Sequence, residues 1–333
     1  MFTISSCRSS LIALVALGFT FACSSDDDPA TSGAGGTTGG TSSAGAGGDS
    51  TGAAGGDTSG SVEFDTSGND SAVCASSLFC DDFEAFTAGV APSGAWTPNQ
   101  VNGTVTVDNT RAFRGTLSVK ATTRATSETM QTYKSAFIGL TQAPVVPVPN
   151  QAYYGRMMFW LDSAPATSVH WTFVDTTGLV PGQTYSSTYR YGGQLPVEQG
   201  GMVVGNQLMA NYDTTDFYRT PPVGPQTDCY QHADSKVVPV GRWACAEWFF
   251  DGPNAQMKFW LDGTELTDLA MNRTGEGCVA PPADQTWVAP TFSRIDVGWE
   301  SYQADDERSI WIDDVVISSA KVGCPATLGA ANR

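Results

Sequence analysis

Apolar and polar residues alternate along the chain in bursts of five to ten, and nowhere do they repeat with the 3.6-residue period of an amphipathic helix. Alternation of this kind places successive side chains on opposite faces of a strand. The strongest burst is residues 242–266, RWACAEWFFDGPNAQMKFWLDGTEL, two apolar runs joined by Asp251-Gly252-Pro253-Asn254. Gly, Pro and Asn at that spacing predict a β-hairpin, with Asp262-Gly263 as a second turn into another short strand. In its first strand Trp243, Cys245, Glu247 and Phe249 share one face, and Ala244, Ala246, Trp248 and Phe250 share the other. Both faces are largely apolar, so the strand is expected in the middle of a sheet. Glu247 is the exception, and a lone carboxylate among aromatics needs a partner or a wet groove.

Further strands are predicted at 103–107 (GTVTV), 116–121 (TLSVKA), 152–161 (AYYGRMMFWL), 169–174 (VHWTFV), 188–192 (TYRYG), 207–212 (QLMANY), 293–300 (SRIDVGWE) and 309–317 (SIWIDDVVI). Many short strands separated by turn residues indicate an all-β fold, an antiparallel β-sandwich or jelly roll. The stretches 176–187 and 213–236 read as long loops rich in Tyr, Pro and Gly, the kind of segment that lines binding sites.

The two ends read differently. Residues 1–22 carry one cation, Arg8, and then an apolar run, the layout of a secretory signal peptide. Cys23 follows Thr20-Phe21-Ala22, which suits lipidation of the cysteine, with ordinary cleavage as the alternative. Residues 23–72 are expected to be that anchor and a Gly/Ser/Thr-rich tether with too little apolar bulk to fold. The folded domain is assigned to 73–325 and a short tail to 326–333. An exported protein follows, an outer-membrane or cell-surface lipoprotein or else a secreted one, touching membrane only through the lipid.

Charge and cysteines narrow the partners. A formal charge of −17 repels nucleic acid, and repels acidic polysaccharides at long range as well. Of the eight cysteines, Cys7 leaves with the leader and Cys23 is the anchor. The other six, Cys74, Cys80, Cys229, Cys245, Cys278 and Cys324, form an even set that predicts disulfides, with the pairing open. His170 and His232 are the only histidines and there is no CxxC, so a thiolate or imidazole metal site is not indicated. Serine-hydrolase, phosphate-loop and paired-carboxylate glucanase signatures are absent too.

Four short motifs carry a resemblance: CDDFE at 80–84, AFRGTLSV at 112–119, Trp-Leu-Asp-Gly at 260–263 and IWIDDVVI at 310–317. Together they resemble the concanavalin A-like jelly rolls of carbohydrate-active proteins. The layout is similar to the glucuronan-lyase type of polysaccharide lyase and to the related fungal cellulose-induced protein. The resemblance implies a glycan partner, a monomer, and a structural Ca²⁺ joining the first strand to the last. Its oxygens would come from Glu84, Asp313 or Asp314 and the backbone near Arg114 and Gly115, since Ca²⁺ takes six to eight oxygen ligands. The alternative for these acids is a solvated sheet rim.

Alternation also nominates chemistry. His170 and Thr172 share a face while Trp171 and Phe173 take the core; Arg190 points opposite to Tyr189 and Tyr191; Asn211 points away from Tyr212. Convergence of His170, Arg190, Asn211 or Tyr212, and Glu247 on one concave face would suit β-elimination from a uronate. Arg190 and Gln194 would neutralise the carboxylate, His170 or Tyr212 would remove the C5 proton, and Glu247 would orient them. Tyr189, Asn211, Trp243 and Trp299 are the candidate sugar contacts, because aromatic faces stack on pyranose rings. Each has a structural alternative: a hydrogen-bonded sheet histidine, an arginine stacked on tyrosines, a Glu247 ion pair with Arg294 or Lys258, a Tyr212 in the core. A non-catalytic glycan-binding module and a structural or adhesive surface protein are the other readings of the whole chain.

Overall fold

The computed structural model describes residues 63–66, 71–129, 132–214, 228–279 and 287–328. The expected leader and Cys23 anchor lie outside the described residues, as do nearly all of the tether and the last residues of the tail. Thirteen longer strands carry the fold: β1 Trp96–Val101, β2 Gly103–Asp108, β3 Ser118–Thr123, β4 Lys134–Leu140, β5 Ala152–Leu161, β6 Trp171–Leu179, β7 Ser186–Gln199, β8 Met202–Thr214, β9 Asp228–Val237, β10 Trp243–Asp251, β11 Gln256–Leu261, β12 Arg294–Ser301 and β13 Arg308–Ser318.

They form two antiparallel sheets. One runs β9-β8-β7-β6-β12-β4-β1, with the short strand Gly277–Val279 beyond β9. The other runs β11-β10-β5-β13-β3-β2, with Thr264–Glu265 outside β11. The jelly-roll sandwich expected from the alternation is therefore the fold.

The inward faces are aromatic. Tyr191 stacks on Phe250 at 5.3 Å and packs on Phe259 at 4.8 Å, and Phe159 meets Phe173 edge-on at 5.4 Å. Each of these pairs joins one sheet to the other. Gly155 shows how tight the fit is: a Cβ there would lie 2.1 Å from the Trp248 ring.

The hairpin forms as expected, with Ala244, Ala246, Trp248 and Phe250 fully buried. Its turn is held by Asp251, whose carboxylate accepts the Asn254 backbone N–H at 3.0 Å and its side-chain N–H at 2.8 Å. The expected loops at 176–187 and 213–236 are shorter than the sequence indicated. β6, β7 and β8 extend into them as long hairpins, and β9 begins at Asp228. Polar residues such as Ser186, Ser187 and Thr188 hid those extensions, because a polar strand end satisfies its backbone through the neighbouring strand whatever its side chains are. Among the described residues α-helix is confined to Ser71–Ser76, which leads into the strand Phe79–Asp81. A Cys74–Cys80 disulfide ties the two together; Cys245–Cys324 is a second bridge, and Cys229 is also disulfide-bonded.

Candidate functional site

The outward face of the first sheet is polar, and its middle is built from cross-strand partners. Arg190 on β7 stands opposite Asp175 on β6 and Asn211 on β8. Asp175 in turn stands opposite Asp296 on β12. Because Tyr189 and Tyr191 point inward, Arg190 must point outward, as the alternation required. Its guanidinium is already engaged. Nη1 donates to Asp213 Oδ2 at 2.8 Å, Nη2 reaches Asp213 Oδ1 at 3.5 Å, and Nε lies 3.9 Å from Asp175 Oδ2. Asn211 donates to Asp228 Oδ1 at 2.6 Å.

His170 joins this group from the residue before β6. Its backbone N–H donates to Gln303 Oε1 at 2.7 Å, and its carbonyl accepts the Tyr302 N–H at 3.2 Å. The imidazole leans on the Tyr302 ring, centroids 5.2 Å apart, and its Nε2 is buried without a hydrogen-bond partner. Tyr302 donates its hydroxyl to Glu300 Oε1, and Tyr133 donates to Glu300 Oε2 at 2.8 Å. His170, Arg190, Asp213, Thr214, Asp228, Tyr302 and Gln303 enclose a pocket of about 410 Å³. The chain's other histidine, His232, lies on the same face of β9, its Nδ1 held by Glu276. Both imidazoles of the protein are thus gathered on one sheet face.

Burial sets the protonation states. It pushes the His170 pKa down to about 3, with Arg190 and His232 adding repulsion against a proton, so the ring is neutral at ordinary pH. It pushes Asp175 up, helped by Asp296, Glu300 and Asp213 and opposed by Arg190. Asp213 is raised for the same first reason. Asp296 is pushed up to about 6 despite the hydrogen bonds from Arg294. That pair lies flat against the sheet because residue 139 is glycine; a Cβ there would fall 2.4 Å from both side chains. Tyr302 is raised as well, so it is a phenol and not a phenolate.

Several sequence-level candidates lie elsewhere. Tyr212 and Tyr189 point into the core, where Tyr212 stacks on Trp287 at 4.2 Å and its hydroxyl accepts the Val288 N–H at 2.8 Å. Trp299 is also core, stacked on Trp171 at 4.5 Å, so it offers no face to a sugar. Glu247 and Trp243 lie on the outward face of the opposite sheet. Glu247 is buried there and accepts the backbone N–H groups of Val322 and Gly323 at 2.8 and 2.9 Å; Trp243 packs edge-on against Phe113 and Trp160. The expected convergence of His170, Arg190 and Glu247 therefore fails at Glu247, which found its partners in the C-terminal segment. Gln194 follows Arg190 on β7, and its carbonyl accepts N–H groups of Val169 and Asn206. Tyr302, Gln303, Asp213 and Glu300 were not foreseen. Glu300 and Tyr302 sit two apart at the end of β12, and that spacing was the available signal.

Of the acids named for Ca²⁺, Glu84 and Asp313 each bind the backbone of the segment 113–117. Glu84 accepts N–H groups of Thr116 and Leu117 at 2.8 and 2.7 Å, and the Thr116 hydroxyl at 3.0 Å. A Cβ on Gly115 would collide with that carboxylate. Asp313 accepts N–H groups of Phe113, Arg114 and Asp314, and the Arg114 guanidinium lies 3.4 Å from Asp314. Among the described residues no three acidic, His or Cys side chains are grouped as metal ligands. A carboxylate oxygen that accepts one hydrogen bond keeps a further lone pair, so these contacts are compatible with the expected Ca²⁺, and no step below is routed through it.

The two antiparallel sheets make this a jelly-roll protein, and its family match makes it a carbohydrate-active one. A family model described as polysaccharide lyase-like, Cip1-like core domain, matches residues 82–320, and the chain belongs to that family. Among solved structures it is similar to cellulose induced protein, Cip1, at 21% identity and TM-score 0.47, covering 74% of this chain and 99% of that one. It is also similar to alginate lyase vAL-1 from Chlorella virus, at 9% identity and TM-score 0.38, covering 61% and 85%. A third is a botulinum neurotoxin type C structure, at 9% identity and TM-score 0.40, covering 76% and 50%. No curated protein sequence matches the chain.

Proposed function

We propose that the pocket around His170, Arg190 and Tyr302 binds a uronate-containing glycan and cleaves it by β-elimination, on a protein carried to the cell surface by the leader and Cys23 anchor. The observation that carries this reading is an unpartnered, neutral imidazole nitrogen sharing one pocket with a cation and a protonated phenol. His170 Nε2 takes the C5 proton, and its lone pair is free at any pH well above 3. Arg190 donates an N–H to the carboxyl group, where negative charge builds as the proton leaves. The C4–O bond then breaks, the C4–C5 double bond forms, and Tyr302 turns its hydroxyl proton from Glu300 to the departing oxygen. Alginate lyase vAL-1 carries this class of activity in its name. The test is incubation with uronate polymers while following the ultraviolet absorbance of the unsaturated product. Turnover that is unchanged in both His170→Ala and Arg190→Ala would remove the site from this pocket.

The engagement of Arg190 by Asp213 favours a second reading, a glycan-binding module without turnover. Saturable binding of the same polymers with no unsaturated product distinguishes it.

A further inference from the structure

The elimination reading leaves a question of charge. A free uronate brings its own carboxylate to Arg190, yet Arg190 already donates to Asp213 and lies beside Asp175. Among the described residues, the other cation on this part of the face, Arg294, is held by Asp296 through two contacts of 2.6 Å. Glu300 draws its hydrogen bonds from the neutral hydroxyls of Tyr133 and Tyr302. His170 adds no charge. Whether or not Asp175 carries its proton, the Arg190–Asp213 pair cancels, and among the described residues the centre of the pocket offers an incoming anion no net positive charge. Asp228 lines the same pocket and Glu300 lies behind Tyr302, so beyond the cancelled pair an incoming carboxylate meets like charge in a desolvated site, and a site excludes a ligand by that repulsion as effectively as it selects one by contact. A guanidinium has five N–H groups, and Asp213 occupies two of those on Arg190. One of the remaining groups suffices for a neutral carbonyl oxygen without breaking the ion pair.

Resting on the elimination reading, we infer that this pocket is built for uronyl residues whose carboxyl group is esterified, and that Asp213, by holding Arg190, is the specificity-determining residue against the free acid. The chemistry is consistent. An ester carbonyl withdraws electrons from C5 without any charge to neutralise, so the proton on C5 is lost more readily than beside a carboxylate. In the step itself the C5 proton passes to His170 and the C4–O bond breaks. The leaving oxygen takes the Tyr302 proton, and the ester is untouched.

The experiment uses glucuronan, polygalacturonan and alginate, each as its methyl ester and as the same preparation after saponification, with binding measured by calorimetry at neutral pH and low salt. For at least one polymer the ester should bind roughly tenfold tighter than the acid, and added salt should narrow that gap by screening the repulsion on the acid. In Asp213→Asn the free acid should gain affinity and the gap should close. Equal or tighter binding of the saponified form in every pair overturns the inference, as does binding of none of the polymers. A wild-type gap that does not narrow with salt also overturns it, and this arm does not depend on the variant folding. Unsaturated product is followed in parallel. An ester preference in binding with no product from any polymer retains the specificity and removes the elimination.

Discussion

Burial holds the His170 ring neutral, and this makes the residue a pH probe as well as a candidate base. In an unfolded chain the ring accepts a proton near pH 6.5, but in the folded protein only near pH 3. Between those values the unfolded state binds more protons, so stability is complete above about pH 6.5 and falls as the pH drops through the window. His170→Gln should flatten the melting temperature against pH between about 6.5 and 4, and an unaltered slope would show that the ring is accessible and titrates normally. On activity, His170→Ala should lower turnover on the order of 100- to 10,000-fold, with the fold intact by circular dichroism. Glu247 behaves in the opposite way. Its side chain is fully buried and serves two backbone N–H groups, so Glu247→Ala should cost about 1–3 kcal/mol in denaturant unfolding and leave turnover alone, while Glu247→Gln should recover part of the stability. Both residues stood out in the sequence as lone polar groups among aromatics. Which was structural depended on what lay across from it, and for Glu247 that was a segment 75 residues further on.

At the scale of strands and turns, two features position the site. The long hairpins of β6, β7 and β8 set Asp175 opposite Arg190 and Asp213 diagonal to it, opposite Thr188, so the Arg190 network is a property of pairing and not of any single strand. Alternation along β7 and β8 sets Arg190 against Tyr189 and Asn211 against Tyr212, and the second sheet, by covering the tyrosines, turns Arg190 and Asn211 outward. Trp299 shows the limit of the same rule. It lies on the face opposite Glu300, and the choice of inner face is made by the other sheet. Trp299→Ala should destabilise the fold by about 3–5 kcal/mol, since it removes a fully buried ring from its stack on Trp171, and equilibrium unfolding measures this directly. The second feature is the C-terminal segment, which Cys245–Cys324 fastens to the far sheet across a separation of 79 residues. Cys324→Ser should lower stability by about 2–4 kcal/mol by releasing the chain closed by that bridge, with little effect at the distant pocket.

For the molecule as a whole, Phe79–Asp81 pairs with β13, and this joint is closed by backbone N–H groups of residues 113–117 that donate to Glu84 and Asp313 and by Arg114 beside Asp314. If the expected Ca²⁺ sits at this joint, a chelator should lower the melting temperature by several degrees and added Ca²⁺ should reverse the fall; a shift of no more than about one degree would show that the hydrogen bonds alone close it. The sequence by itself determined the strand class, the central hairpin with its two faces, the family resemblance in four short motifs, and the opposition of Arg190 to Tyr189 and of Asn211 to Tyr212. All of these are local, because a period of two is fixed by the pleat of one strand, and a turn by a few neighbouring residues. Only the tertiary structure decided that His170, Arg190 and Tyr302 share a pocket, that Asp213 occupies the arginine, and that Glu247 serves the opposite surface. Those facts depend on which strands lie side by side and on which sheet covers which face, and such contacts join residues too far apart along the chain for any local pattern to register them.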